Sequence, residues 1–172
     1  MEKLIIIRGP SGVGKSSVAK ALKEKTDRPT MLIEQDIFRT FSNEETPNNL
    51  PVHEMVEVTT LIALKHGFDV ILEGILNVQK PGRREMYERI FKAHPAENYI
   101  FYMEASFDET VRRHGARLDK KDKFGADDMR EWYGLASPMQ HPEEVIIQEG
   151  SSLEETVAII SRVAGLNLTK PA

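Results

Sequence analysis

The chain has 172 residues, enough for one domain with a proper core and too few for two ordinary domains. A charged fraction of 29% is typical of a soluble protein, and the formal net charge of −4 argues against a general nucleic-acid binder. The absence of cysteine excludes disulfides and thiolate metal sites, and with no signal-peptide pattern and no apolar run near ~20 residues, we expect a cytoplasmic protein without a membrane span.

Short apolar runs alternate with helical patterns along the whole chain. The predicted strands cover residues 3–8, 31–34, 69–73, 99–103 and 145–147. Residues 41–51 are predicted to form a loop, and the helix after it should bury Val52, Met55, Val56, Thr59, Ile62 and Ala63. Ser106 with Glu109, and Ser152 with Glu155, have the spacing of capping boxes.

This alternation predicts a three-layer α/β fold, with a parallel sheet between two layers of helices. Ligands of such sheets bind beyond the carboxyl ends of the strands. The residues that directly follow each strand are therefore the first candidates for a functional site.

The first such segment is glycine-rich and follows the first strand. Residues 9–16 match the phosphate-binding loop pattern G-x-x-x-x-G-K-[ST], between an apolar strand and a helix. The expected nucleotide-binding residues are Gly9, Pro10, Ser11, Gly12, Val13, Gly14, Lys15, Ser16 and Ser17. The backbone N–H groups would surround phosphate oxygens, Lys15 would reach the β- and γ-phosphates, and Ser16 would bind Mg²⁺. The alternative is a glycine-rich turn with a solvated lysine.

Beyond this loop, four further motifs carry a resemblance to a known family: EQDIFR at 34–39, VILEGIL at 70–76, ETVRRHGAR at 109–117 and FGADDMREWY at 124–133. With GPSGVGKSS, they resemble the small P-loop kinases, which include nucleoside monophosphate, gluconate, shikimate and polynucleotide kinases and the zeta-toxin type. The resemblance is nearest to small bacterial uridine-kinase-like proteins. It implies a single P-loop kinase domain over residues 1–172, a five-stranded parallel sheet in the order 2-3-1-4-5, and a helical lid over about 115–137.

Two residues after the second strand are candidates for acceptor binding. Asp36 could take the proton of an acceptor hydroxyl, a base that a kinase acting on a phosphate acceptor would not need. The alternative is that Asp36 is a helix N-cap. Arg39 lies one helical turn further and could hold an anionic or polyhydroxyl substrate, or it could be a surface residue.

Glu73 ends the third strand, where the resembling kinases carry an acid that orders Mg²⁺ or its waters. We therefore expect Glu73 to contribute to the metal and substrate site, with Gly74 allowing close approach of the substrate or a loop. A carboxylate bonded to loop backbone is the alternative. Arg83 and Arg84 follow the next loop, and a contact with an anionic acceptor is not favoured by the sequence.

Arg113 and Arg117 are four residues apart on one predicted helix. In the resembling kinases, arginines here project from the lid region onto the phosphates, where planar guanidinium groups suit spread charge. A solvated basic helix face is the alternative.

The predicted activity is transfer of the γ-phosphoryl of ATP·Mg²⁺ to a hydroxyl of a small-molecule acceptor, a nucleoside or sugar derivative, with Asp36 as the general base. Lys15, Arg113 and Arg117 would neutralise charge on the transferring group. The alternatives are a nucleoside monophosphate kinase, a polynucleotide 5′-hydroxyl kinase, which the acidic composition argues against, and an ATP-dependent switch protein that transfers nothing.

Overall fold

The structure is a computed structural model that describes residues 1–41, 50–79, 82–116 and 125–169. The strands are β1 (Lys3–Arg8), β2 (Thr30–Glu34), β3 (Asp69–Glu73), β4 (Glu97–Met103) and β5 (Glu144–Ile147). The helices are α1 (Lys15–Lys25), α2 (Gln35–Arg39), α3 (Leu50–Lys65), α4 (Arg83–Ala93), α5 (Phe107–Gly115), α6 (Ala126–Leu135) and α7 (Leu153–Val163). No helix in these ranges has the length and apolar character needed to cross a membrane.

The strands form one sheet in the order β2-β3-β1-β4-β5, and every neighbouring pair is parallel. The predicted fold class and strand order are therefore confirmed. Successive side chains of β1 enter opposite layers: Leu4 and Ile6 belong to one buried cluster, and Ile5 and Ile7 belong to the other. This alternation explains why β1 is apolar without interruption before Arg8, since both of its faces are covered by helices.

Helix α3, which follows residues 42–49, differs from the sequence expectation. It begins at Leu50, so Pro51 lies in its first turn, where the missing N–H of proline costs no hydrogen bond. Met55 and Ile62 were expected in the core but are exposed. The predicted burial of Val52, Val56 and Ala63 is confirmed, and His53, Thr60 and Leu64 are buried as well. The prediction was wrong for Met55 and Ile62 because α3 carries apolar residues on more than one face. Residues 42–49 of the predicted loop lie outside the described residues.

The two predicted capping boxes have different outcomes. Ser152 and Glu155 form a complete box at the start of α7. At α5, Ser106 accepts a hydrogen bond from the Glu109 amide, but the Glu109 carboxylate binds Arg112 and Arg113. The Ser106 amide donates instead to Glu149 in the loop after β5, at 2.5 Å. The start of α5 is thereby fastened to a neighbouring loop at the carboxyl edge of the sheet.

Candidate active site

The phosphate-binding loop links β1 to α1, and its glycines adopt backbone angles that side chains disfavour. Gly9, Gly12 and Gly14 have φ angles of 144°, 85° and 109°. A Cβ atom on Gly12 would come within 2.6 Å of the Thr110 carbonyl oxygen in α5, and one on Gly9 would collide with the carbonyl oxygen of Met103. Glycine is therefore required both for the loop's shape and for its close contact with β4 and α5.

The N-terminus of α1 opens onto this loop. Gly14 is the N-cap and supplies no side-chain cap, while its carbonyl accepts from the Ser17 and Val18 amides at 3.1 Å. Uncapped N–H groups and the positive end of the helix dipole form a site for phosphate oxygens. The local geometry suits the anion-binding role expected of the glycine-rich motif.

Lys15 folds back over its own loop. Its Nζ donates to the Pro10 carbonyl at 2.7 Å, and the side chain is buried. The ammonium also lies near enough to Glu73 to lower the pKa of that carboxyl. Contacts within the protein thus hold Lys15 beside the loop.

Ser16 and Glu73, the two predicted magnesium ligands, are brought together. The Ser16 hydroxyl donates to Glu73 Oε1 at 3.0 Å. Burial raises the pKa of Glu73, and the nearby Lys15 and the Ser16 hydrogen bond oppose that rise. Hydroxyl and carboxylate oxygens suit Mg²⁺, which usually takes few protein ligands and completes its shell with water and phosphate. No group of three or more His, Asp or Glu side chains able to hold a metal is found in the described ranges.

Gly74, predicted to allow close approach of the substrate or a loop, makes room for the Gln35 side chain. A Cβ at this position would lie 2.6 Å from Oε1 of Gln35, the first residue of α2. Gln35 is buried, and its Oε1 accepts from the Leu76 amide at 3.3 Å. Sequence reasoning missed Gln35, which joins the start of α2 to the loop after β3.

Asp36 and Arg39 lie on α2, at the same sheet edge as Glu73. The N-cap of α2 is Glu34, so Asp36 does not have the capping role that was its alternative. Asp36 Oδ1 lies 3.9 Å from Arg39 Nε, as the one-turn spacing predicts. Its side chain is 69% exposed, and its charge contributes to raising the pKa of Glu73. Asp36 is therefore an exposed carboxylate at the carboxyl edge of the sheet, close enough to Glu73 to affect the pKa of that carboxyl.

Arg113 bridges two loops at the sheet edge. Its Nη1 donates to the Val13 carbonyl and its Nη2 to the Glu149 carbonyl, both at 2.8 Å, while its Nε donates to Glu109 at 2.6 Å. Arg113 thus ties the phosphate loop to the loop after β5, and its role in transfer stays a prediction. Arg117, the other arginine predicted to act in transfer, lies outside the described residues.

The described part of the predicted lid, which covers about 115–137, is anchored on α5. Tyr133 donates to the Ala105 carbonyl at 2.9 Å and packs edge-to-face on Phe107, while the Arg130 guanidinium lies 4.2 Å from the Phe107 ring centroid. Met129 is buried near Gly12. Helix α6 therefore packs close to the phosphate loop; residues 117–124 are outside the described residues.

A fully buried arginine at the end of β1 connects distant segments of the chain, and sequence reasoning missed it. Arg8 ends β1, and its Nη1 lies 2.7 Å from Glu144 Oε1, which is also buried. Its Nη2 donates to the Leu76 and Ser137 carbonyls, both at 3.1 Å. Arg8 thereby joins the loop after β3 to the segment after α6. The available signal was a charged residue that ends an otherwise apolar strand.

The structure also places Arg83 in the interior. Arg83 begins α4 and is only 5% exposed, whereas its neighbour Arg84 is exposed and donates to the Met139 carbonyl at 3.0 Å. The sequence did not distinguish these two adjacent arginines, since their separation depends on how α4 packs.

A family model described as AAA domain matches residues 4–147 of the chain. The chain belongs to this AAA domain family. The match includes the phosphate loop, both acids at the sheet edge and Arg113. No curated protein matches this AAA domain chain in sequence.

Solved structures share the fold of this AAA domain protein over nearly its whole length. A gluconokinase from Sinorhizobium meliloti 1021 is 19% identical with a TM-score of 0.68, covering 95% of this chain and 94% of its own. A sugar kinase from Janibacter sp. HTCC2649 is 13% identical with a TM-score of 0.74, covering 96% of each chain. An APS kinase from Mycobacterium tuberculosis, in complex with AMPPNP and APS, is 18% identical with a TM-score of 0.64, covering 94% and 96%. These neighbours confirm the fold that the resemblance to small P-loop kinases implies.

Proposed function

We propose that this protein transfers the γ-phosphoryl group of ATP to a hydroxyl of a small-molecule acceptor that is a sugar or nucleoside derivative. The observation that carries the proposal is the position of Asp36: an exposed carboxylate at the same sheet edge as Lys15, Ser16 and Glu73. A loop that only bound and hydrolysed ATP would not need a second, solvent-accessible carboxylate there. Gluconokinase and sugar kinase among the structural neighbours support testing polyhydroxyl acceptors first.

In the proposed reaction, the N–H groups at the start of α1 bind the phosphates, and Lys15 turns from the Pro10 carbonyl to the γ-phosphoryl oxygens. Ser16 and Glu73 would hold Mg²⁺, directly or through water, and the ion would neutralise charge on the phosphates. Asp36 accepts the proton of the acceptor hydroxyl while the oxygen of that hydroxyl forms its bond to the γ-phosphorus. The bond from the γ-phosphorus to the bridging oxygen breaks, and ADP leaves with that electron pair.

Two predicted roles complete the proposal. Arg117 and Arg113 would stabilise charge on the transferring group, Arg113 after releasing the carbonyls it now binds. Helix α6 and the rest of the lid, about 115–137, would exclude water from the closed site of a single domain over 1–172.

The test is an acceptor screen with wild type, Asp36→Asn and a control, Asp27→Asn, which changes an exposed aspartate in the turn after α1. Hydroxyl compounds, including gluconate, glucose, glucose 6-phosphate and uridine, are added with ATP·Mg²⁺, and ADP release is measured. We expect one acceptor class to stimulate ADP release and Asp36→Asn to lower transfer by about 10²-fold or more, with ATP affinity unchanged. Asp27→Asn should behave like wild type.

Phosphorus NMR of the product separates the alternatives. A phosphomonoester supports the proposal, whereas a phosphoanhydride identifies a kinase of phosphate acceptors. Transfer by Asp36→Asn at the wild-type rate overturns the role of the base. ATP binding with slow hydrolysis that no acceptor stimulates would favour the switch protein.

A further inference from the structure

Arg83 is a buried cation without an acidic partner among the described residues. It is the first residue of α4 and 5% exposed. Its Nη1 donates to the Asn77 carbonyl at 3.5 Å, at the limit of a hydrogen bond, and its Nε has no hydrogen-bond partner in the part of the chain that the structure describes. Arginine is rarely buried unless it is paired, because removing its charge from water is costly. A bound anion would therefore offset the cost of burying Arg83.

A second donor beside Arg83 also lacks a partner. Asn77 lies in the loop after β3, is 3% exposed, and its Nδ2 makes no hydrogen bond within the described part of the chain. Buried side-chain nitrogen atoms are normally hydrogen-bonded. Two neighbouring buried side chains thus have unused N–H donors, and within the described residues the Asn77 side chain does not accept from Arg83 Nε.

A second cation lies near Arg83. Burial lowers the pKa of Arg83, Tyr87 on the same helix opposes that shift, and the charge of Arg39 on α2 adds to it. The N-cap of α4 is Gly82, which supplies no side-chain cap, so the positive end of this 11-residue helix adds to the field. Arg39, which also lies 3.9 Å from Asp36, and the start of α4 both favour a negative charge near Arg83.

Arg8 provides the internal contrast. It is equally buried, but it pairs with Glu144 and donates to two backbone carbonyls. An arginine that this chain uses only for structure is therefore fully satisfied. Arg83 is not satisfied in this way within the described residues, although two exposed glutamates, Glu85 and Glu88, lie on the same helix.

We propose that Arg83 and Asn77, with Arg39, bind an anionic group of the phosphoryl acceptor, a carboxylate, phosphate or sulfate. This inference rests on the proposed function, because it assigns these residues to the acceptor half of that site. The acceptor would then be a hydroxyl compound with a negative group at a distance from the reacting hydroxyl. The two unpartnered nitrogen atoms are closed to solvent, so the Arg83 guanidinium must rotate outward to meet the ligand.

The test measures binding separately from turnover. Protein saturated with ADP·Mg²⁺, which occupies the phosphate loop, is titrated calorimetrically with gluconate, glucose 6-phosphate, glucose 6-sulfate and neutral glucose. We expect at least one charged probe to bind about 10-fold or more tightly than glucose, which also tells carboxylate, phosphate and sulfate apart. If no charged probe binds better than glucose, the inference is overturned.

Three variants locate the effect. Arg83→Met should remove the preference for the charged probe, by about 10- to 100-fold, while leaving the affinity for glucose and the Tm nearly unchanged. Arg84→Met is the matched control, because it removes an exposed arginine from the same turn, and it should keep the preference. Asn77→Asp supplies the missing negative charge, so it should raise the Tm and abolish binding of the charged probe. Equal losses of affinity for the charged probe in Arg83→Met and Arg84→Met would refute the assignment. So would unchanged affinity for that probe in both Arg83→Met and Asn77→Asp.

The two proposals can fail separately. Charged-probe binding that depends on Arg83, without phosphoryl transfer to any acceptor, keeps the anion site and rejects the kinase activity. Transfer to neutral acceptors that is insensitive to Arg83→Met keeps the kinase activity and rejects the anion site.

Discussion

Around the phosphate loop the polar groups of the candidate site form short hydrogen bonds with each other, whereas at the acceptor end their contacts are longer, 3.9 Å from Arg39 to Asp36 and 3.5 Å from Arg83 to Asn77. Lys15 donates to its own loop, and Ser16 donates to Glu73. At the acceptor end, Asp36 is largely exposed, and Arg83 has a buried nitrogen without a partner among the described residues. Under the proposed function, the preorganised phosphate-loop side (the donor half) would bind ATP as it stands. The acceptor side (the acceptor half) would be completed only when its own ligand binds.

The same difference separates the two buried arginines, and it suggests how to distinguish structural from ligand-binding charges. Arg8 pairs with Glu144 across the fold, so its burial costs little as long as the pair remains intact. Arg83 has no such pair in the described ranges, so its burial weakens the apo protein and is expected to be offset by a ligand. The following variants test this comparison, beginning with the largest expected effect.

Arg8→Met should destabilise the protein by about 3–5 kcal/mol, because it leaves Glu144 buried and unpaired. Urea unfolding followed by circular dichroism measures this change. The double variant Arg8→Met/Glu144→Gln should recover part of the loss, since glutamine is neutral and keeps an oxygen acceptor for the Met139 amide. Arg83→Met, the parallel change, should cost far less. Similar losses for Arg8→Met and Arg83→Met would end the distinction between the two arginines.

Lys15→Ala should reduce ATP turnover by about 10²–10³-fold, because a cation held at the phosphate loop is removed from the transferring group. The measurement is ADP release at saturating acceptor. Lys23→Ala, an exposed lysine on the same helix, is the control and should turn over ATP normally. Binding of a charged acceptor probe should survive Lys15→Ala, because the proposed anion site is separate. Unchanged ATP turnover would reject the nucleotide site itself.

The donor half and the sheet could be predicted from sequence because their signals are local. The glycine loop is eight consecutive residues, and each strand of the sheet is one short apolar run. The network of Arg8 could not be predicted in this way, since Arg8 and Glu144 are 136 residues apart and meet only when the sheet forms. Two helices show the same limit. The burial of Met55 was mispredicted because α3 is apolar on several faces, and Arg83 is distinguished from Arg84 only by the packing of α4.

Gly74→Ala should destabilise the protein by about 1–3 kcal/mol, less than Arg8→Met, and it tests how the phosphate-loop side and the acceptor side of the site are joined. The new Cβ would lie 2.6 Å from Gln35 Oε1 and 2.8 Å from Gln35 Cβ, so Gln35 must move and release the Leu76 amide. Because Gln35 directly precedes Asp36, and Leu76 precedes Asn77, the acceptor half should shift while the phosphate loop does not. We therefore expect a higher KM for the acceptor with an unchanged Kd for ATP.

The control for this variant is Gly134→Ala, at a helical position with open space around it, which should be neutral or stabilising by up to about 1 kcal/mol. Adding Gln35→Ala to Gly74→Ala removes the close contact with Oε1 but keeps the one with the Cβ atom of residue 35, and it also removes the hydrogen bond to Leu76. The double variant should therefore regain part of the stability without regaining the acceptor KM. If the KM for the acceptor recovers with stability, Gln35 only fills space. If it does not, Gln35 holds the acceptor loop in register with Asp36, and the two halves of the site depend on one buried amide.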